Sequence, residues 1–498
     1  MSHFITSDTG TPIRVSPAWM TLLIGILAIG LCSAVPAHAT EYEAEHWYDS
    51  FWPLGEPVHV EALKEEYVPF KTVDEFPARP KLMIEWGDPF LDTGKLNEGF
   101  TVPIIGAVWQ PRFWAYGIYR SALQSFDNGA PGTRLESEWG NRFDIFANLQ
   151  LTGTEKILLG LRPVDNNQPS KFTRYTFSGS NEDFNNELNL DIETLFFEGD
   201  LGSLIPNLDK AGIKPIDFGF TIGRQPLVLQ EGILINDTVD AFGLVRNNLS
   251  FPGASNLRIS AMWAWNRLDR NDRSLNSDSD MYALFTAIDS HISTFNLDLI
   301  YVDGNASSGD AFYVGASAIQ RLRTFGGIST AFRINSSIAL DNEVAGNVIG
   351  DGTLLTAEIS SIVTGSDDIM YFNTFVSLGN FTQAGREAIV GGPLANTGIL
   401  FASPNLSTYG AEISPFTDDV LGGAMGYQAF WDHKRRNLIL EFAAKHDYNG
   451  DSFDSYGLGF QLQQAFGTHV QLTLESYYVV NGERDDASGA RGEILVIY

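Results

Sequence analysis

The sequence predicts an all-β fold: a transmembrane antiparallel β-barrel of about 18 strands, behind an N-terminal signal peptide and an irregular acidic leader. Three observations predict it. A secretory-type apolar segment opens the chain, period-2 alternation runs from about residue 110 to the end, and the closing "GEILVIY" alternates and finishes on an aromatic residue. The 498 residues are 44% hydrophobic and carry a net charge of -29. That length suits one large barrel or a few soluble domains, and the acidic excess speaks against nucleic acid, whose phosphates need Lys and Arg.

The first element is the signal peptide, expected over 1–39. Arg14 precedes the apolar run "AWMTLLIGILAIGLCSAV", and "AHA" at 37–39 sets small residues at the cleavage positions before Thr40. Cys32, the single cysteine, would leave with it, which removes disulfides and thiol chemistry from the mature chain. A leader is expected over 40–105, either periplasmic or entering the barrel. Stretches such as "EYEAEHWYDSFWPLGEPVHVEALKEEY" are rich in Glu and Pro and hold no period. It is a possible docking segment for a periplasmic partner.

The barrel is expected over 106–498. In "RFDIFANLQLT" Phe143, Ile145, Ala147, Leu149 and Leu151 share one face, and Arg142, Asp144, Asn148 and Gln150 the other. "NLRISAMWAW", "TFNLDLIYV" and "HVQLTLESYY" repeat this. A soluble sandwich also alternates, but strands of this length with aromatic ends and alternately short and long connections suit a membrane barrel better. Short connections at 152–155, 290–293, 322–326 and 363–368 are expected in the periplasm. Long polar ones at 163–186, 268–280 and 341–352 are expected outside the cell. Counting all candidate strands gives an odd number, which cannot place both ends on one side. The weakest is "STYGAEISP" at 407–415, which contains Pro415. Demoting it leaves a long loop at 379–421, whose Gly-rich apolar "GGPLANTGILF" suits a segment folded into the lumen. Tyr498 is the expected signal for the barrel-assembly machinery.

Catalytic and metal motifs are missing. The eight His residues form no HxH, HExxH or Cys/His spacing, and there is no G-x-S-x-G, P-loop or dinucleotide fingerprint. "DYNGDSFD" spaces Asp447, Asn449 and Asp451 like a calcium loop, but its Gly is misplaced and the closing Glu is absent. The expectation is no enzyme, no metal and no cofactor.

In a barrel the lumen carries function, so the residues opposite the apolar face are the candidate site. The basic set is Arg142, Arg162, Arg258, Arg321, Arg333 and Lys445. The acidic set is Asp144, Asp191, Glu193, Asp298, Glu358, Glu441 and Glu475. A polyanion pore calls for a basic excess, and this wall is mixed.

At "IGRQPLVLQEGILINDTVDAFGLVRNNL" (222–249) the chain resembles the alginate-export family of outer-membrane barrels, through Gly223, Arg224, Gln225, Asp240 and Arg246. "LTGTEKILLGLRP" and "LFFEGDLG" resemble its strand-turn-strand pattern. The resemblance is best over 140–267. It implies an 18-stranded monomeric barrel conducting through its lumen. Arg224 and Gln225 are then expected at the pore mouth. Arg224 shares parity with Phe218, Phe220 and Ile222, so it reaches the lumen only through a bulge at Gly223, which the resemblance favours; otherwise it lies at the headgroups. Two readings follow: a passive porin for small polar or charged solutes, constricted by the in-folded loop, or an export channel for an anionic polysaccharide of alginate type. Either sits in the outer membrane of a Gram-negative bacterium, among lipid and lipopolysaccharide.

Overall fold

The computed structural model describes residues 81–498, apart from short stretches at 92–96, 131–134, 166–171, 180–181, 209–216, 271–274, 277–278, 306–307, 323–326, 341–347, 388–389, 433 and 451–452. The expected signal peptide and most of the expected leader lie outside the described residues.

Eighteen strands form the wall. They begin with β1 (Arg112–Asp127), β2 (Glu136–Gln150), β3 (Lys156–Leu161), β4 (Ile192–Asp200), β5 (Gly219–Leu229) and β6 (Ile235–Phe251). Next come β7 (Ala254–Asn266), β8 (Asp280–Ser290), β9 (Ser293–Asp303), β10 (Ala311–Leu322), β11 (Ile328–Ala339) and β12 (Gly352–Ile362). The last are β13 (Ile369–Gly379), β14 (Val420–Trp431), β15 (Arg436–Asp447), β16 (Ser455–Phe466), β17 (Val470–Asn481) and β18 (Ala487–Ile497). Each strand pairs antiparallel with its sequence neighbours, and β18 returns to β1 from Ile497↔Ile118 to Ser488↔Asp127. Closure leaves no wall strand with an unpaired edge, which the bilayer requires of any spanning sheet. β3 is short; after an excursion the chain resumes beside β2 at Thr173–Ser178.

An even count sets both ends of the wall on one rim, the periplasmic one. At that rim Ile84–Trp86 pairs with Phe113–Ala115 of β1, just beyond the point where Tyr498 bonds Gly117. The described part of the leader therefore continues the line of β18. The connections at 151–155, 291–292, 363–368, 432–435 and 467–469 on this rim are short. The connection 201–218 is longer and holds a helical turn, Leu201–Leu204, capped by Asp200.

Alternation sorts the two faces as the sequence predicts. Leu440 and Phe442 of β15, and Tyr456 and Leu458 of β16, are exposed outward, whereas Glu441, Ala443 and Lys445 are buried inward. Residues 407–415 add no wall strand. They belong to the connection 380–419, which folds inside the barrel.

Candidate functional site

The connection 380–419 crosses the lumen and is anchored to the wall at several points. At the start of β6, Ala384 N–H donates to the Leu234 carbonyl at 2.9 Å, Asn236 N–H to the Gly385 carbonyl at 3.0 Å and Glu387 N–H to the Asn236 carbonyl at 2.9 Å. On β15, Glu441 accepts the N–H groups of Ile399 and Leu400, both at 2.9 Å. On β1 and β2, Arg120 and Arg142 donate to the carbonyls of Pro404 (2.9 Å) and Asn405 (3.1 Å). There Glu138 also accepts the Thr408 N–H and hydroxyl at 3.0 and 2.8 Å. Back on β15, Lys445 Nζ donates to the carbonyls of Ser414 (3.0 Å) and Phe416 (2.7 Å). A loop leaving bulk water must pair its backbone groups, and the charged wall residues supply those partners.

The wall is also shaped to receive the loop. Leu394, Leu400, Phe401 and Ile413 are buried against Phe375, Val420, Ala424, Ala443 and Val479. β16 presents glycine where they arrive: a Cβ on Gly459 would lie 3.0 Å from Leu400 Cγ and 3.1 Å from Ile399 Cδ1. Each buried Leu or Phe contributes about 1.5–3 kcal/mol, so the apolar seat rivals the polar anchors.

Ion pairs knit the remaining wall. Asp144 binds Arg142 and Arg162 at 2.8 and 2.9 Å, and Arg162 reaches Glu387 of the loop at 3.4 Å. Arg120 grips Glu493 through two nitrogens at 2.6 and 2.9 Å, and Arg491 spans Glu493 and Glu475. Arg333 lies between Glu358 and Glu231. In the loop, burial pushes the Glu412 carboxyl well above the usual carboxylate range, and Glu475 and Glu441 add to this. Its Oε2 and the Tyr409 hydroxyl are buried with no hydrogen-bond partner among the described residues.

Two cavities open inside the barrel, one beside the turn that joins β5 to β6 and one against the loop. One, of about 470 Å³, lies against the β5–β11 wall and is lined by Glu231, Arg258, Asn296, Asp298, Ser317 and Arg333, among others. The second, of about 250 Å³, faces the extracellular turns and is lined by Phe126, Tyr409, Glu412, Tyr477 and Arg484.

The sequence-predicted residues therefore divide. Arg142, Arg162 and Asp144 form one inward cluster; Glu193, beside Arg267 at 3.7 Å, joins its rim because β4 is irregular opposite Gly160 and Leu161. Arg258, Asp298, Arg333 and Glu358 surround or back the larger cavity. Glu441 and Lys445 hold the loop. Arg321 is exposed on the inward parity of β10 near the periplasmic rim. Asp191 is exposed just before β4, in the extracellular connection rather than on the wall.

The bulge expected at Gly223 is absent. Gly223 has φ +121°, yet β5 and β6 stay in unbroken register from Gly219↔Val245 to Leu229↔Ile235. Arg224 keeps the outward face of Ile222 (45% exposed) and Val228 (54%), and pairs there with Asp240 at 2.8 Å. It also bonds the Ile192 carbonyl, and Asn266 donates to Asp240. β4 begins at Ile192 and β7 ends at Asn266, so this ladder marks the outer rim where both neighbours stop. Gln225 points inward but is buried, held by Thr221 at 2.6 Å. Arg246 is outward as well, stacked on Phe218.

Sequence reasoning missed Arg120, Glu138, Glu231, Arg267, Glu387, Arg491 and Glu493. The inward face of β1 mixes Tyr116, Ala122 and Phe126 with Arg120, which blurs its alternation. The stretch around Arg491 reads as loop because it is rich in small residues, yet β18 begins at Ala487. A Cβ on Gly489 would meet the Tyr477 ring at 2.6 Å, so the small residue is a packing requirement of the strand.

A closed 18-stranded barrel with an apolar exterior and a charged, loop-filled interior defines an outer-membrane β-barrel protein. Solved structures with a similar fold include a BenF-like porin from Pseudomonas fluorescens Pf-5, at TM-score 0.54 and 10% identity over 77% of this chain and 98% of that one. OccK9 (OpdG) of Pseudomonas aeruginosa is similar at TM-score 0.51 and 11% identity, over 78% and 98%. OccAB3 of Acinetobacter baumannii is similar at 0.50 and 10%, over 78% and 99%. No family model matches the sequence, and no curated protein matches it.

Proposed function

We propose that this protein is a porin of the Gram-negative outer membrane, a passive channel for small polar or charged solutes. The observation that carries the reading is the loop 380–419, anchored on β1, β2, β6 and β15, which narrows the lumen and holds the turn that lines the charged cavity of about 470 Å³. A cavity lined by both Arg258 and Arg333 and both Asp298 and Glu231 orders water and acts on polar solutes of either sign. The names of the similar structures, porins among them, support it. Against the alternative of alginate-type export, the Arg224–Asp240 pair of the resembling stretch braces the outer rim, and a docked loop favours small solutes over a hydrated polymer. Purified barrel in planar bilayers tests the proposal. Discrete conductance steps, with permeation of small solutes and exclusion of oligosaccharides in liposome swelling, are the expected result. Absence of conductance would refute it.

A further inference from the structure

The turn joining β5 to β6 bends into the lumen with an unusual backbone. Gln230 and Glu231 both take left-handed conformations, φ +50° and +56°, which cost non-glycine residues about 1 kcal/mol or more each. Such a turn persists where its surroundings hold it. Gln230 Nε2 donates to Asp298 on β9 at 2.6 Å, Gln383 donates to the Gly232 carbonyl, and Asn396 donates to that of Glu231. The turn is thus clamped between the far wall and the in-folded loop, and it delivers Glu231 to the larger cavity.

There Glu231 Oε1 lies 2.6 Å from Arg333 Nη2, a charge contact that lacks the alignment of a hydrogen bond. The Arg333 side chain is 1% exposed and fixed on the wall by Glu358, whereas that of Glu231 is 51% exposed. Arg258 lines the same cavity. One half-exposed carboxylate on a turn therefore stands beside the buried Arg333 guanidinium, at the cavity that Arg258 also lines.

We propose that Glu231 is a tethered counter-anion that sets the ion selectivity of the channel: it occupies the face of Arg333 that a permeating anion would contact and presents its own negative charge to the cavity. The inference rests on the channel reading. A fixed charge at a narrow, low-dielectric passage acts strongly on ions because little water screens it.

Reversal potentials across a potassium chloride gradient test it. Glu231→Gln should shift the chloride-to-potassium permeability ratio upward by about twofold or more. Glu231→Cys, in a Cys32→Ser background, allows charge to be restored on the folded barrel. A negatively charged thiol reagent should return the ratio toward wild type, and a positively charged one should raise it further. Equal ratios in wild type and Glu231→Gln, or the same shift from both reagents, would overturn this inference while leaving the channel reading intact. A wild-type barrel that does not conduct would overturn both.

Discussion

Glu441 Oε1 accepts the backbone N–H of Leu400 at 2.9 Å, and its Oε2 accepts that of Ile399 at the same distance. One buried wall carboxylate thereby seats the turn Ile399–Phe401 at the middle of the in-folded loop. Gly398 leaves room for it: a Cβ there would crowd the Glu441 carboxylate.

Removing this anchor should free the loop. Glu441→Ala forfeits charge-assisted hydrogen bonds worth about 1.5–3 kcal/mol each. Larger and noisier single-channel conductance, with faster proteolysis within 380–419, is expected. Unchanged conductance and protection would show that the loop is held elsewhere.

The apolar seat makes a separate prediction. Leu400→Ala should weaken docking by about 2–5 kcal/mol, through lost burial and the cavity left behind. Gly459→Val should do the same from the wall side, because its side chain would enter the space of Leu400 and Ile399. Both variants should keep the folded barrel while the loop becomes accessible to protease.

Acid should tighten the docked loop. Burial, with Glu475 and Glu441 nearby and Arg491 opposing them, raises the Glu412 carboxyl well above its ordinary 4.5. A carboxyl raised on docking binds more protons in the docked state. Its stabilising contribution is therefore full below pH 4.5 and is lost as pH climbs through the raised value, by at most about 1.4 kcal/mol per pH unit. Loop protease protection should decline from pH 5 upward, and Glu412→Gln should flatten that decline. A wild-type profile that rises with pH would contradict the assignment.

The Arg224–Asp240 pair belongs to the outer rim. Arg224→Ala should lower barrel stability by about 1 kcal/mol and leave ion selectivity unchanged. A selectivity shift would place the side chain in the pore.

Much of this fold was legible because each wall strand must satisfy two solvents. Leu440 and Phe442 face lipid while Glu441 and Lys445 face inward, and that alternation survives in the sequence. Parity likewise exposed residues 407–415 as something other than wall. The inward loop was legible in outline only, from Gly and apolar residues where a solvated loop would be polar. Its anchors were not, because Glu441 and Leu400 are brought together by closure of the barrel and not by spacing. Arg224 was misread for a related reason. A charged residue on lipid parity invites a bulge, but its neighbours Ile192 and Asn266 end their strands at that height, so no bulge is needed. Arg491 and Glu493 were hidden by glycines that resemble a turn until Tyr477 is seen packing over Gly489.

Constriction of a conducting lumen by loop 380–419 is open to test by single-channel recording. Wild-type barrel should be compared in planar bilayers with a variant in which residues 383–417 are replaced by a short Gly/Ser linker. Discrete steps are expected for both, several-fold larger in the shortened form. Equal conductance in the two forms, or none in either, would contradict it.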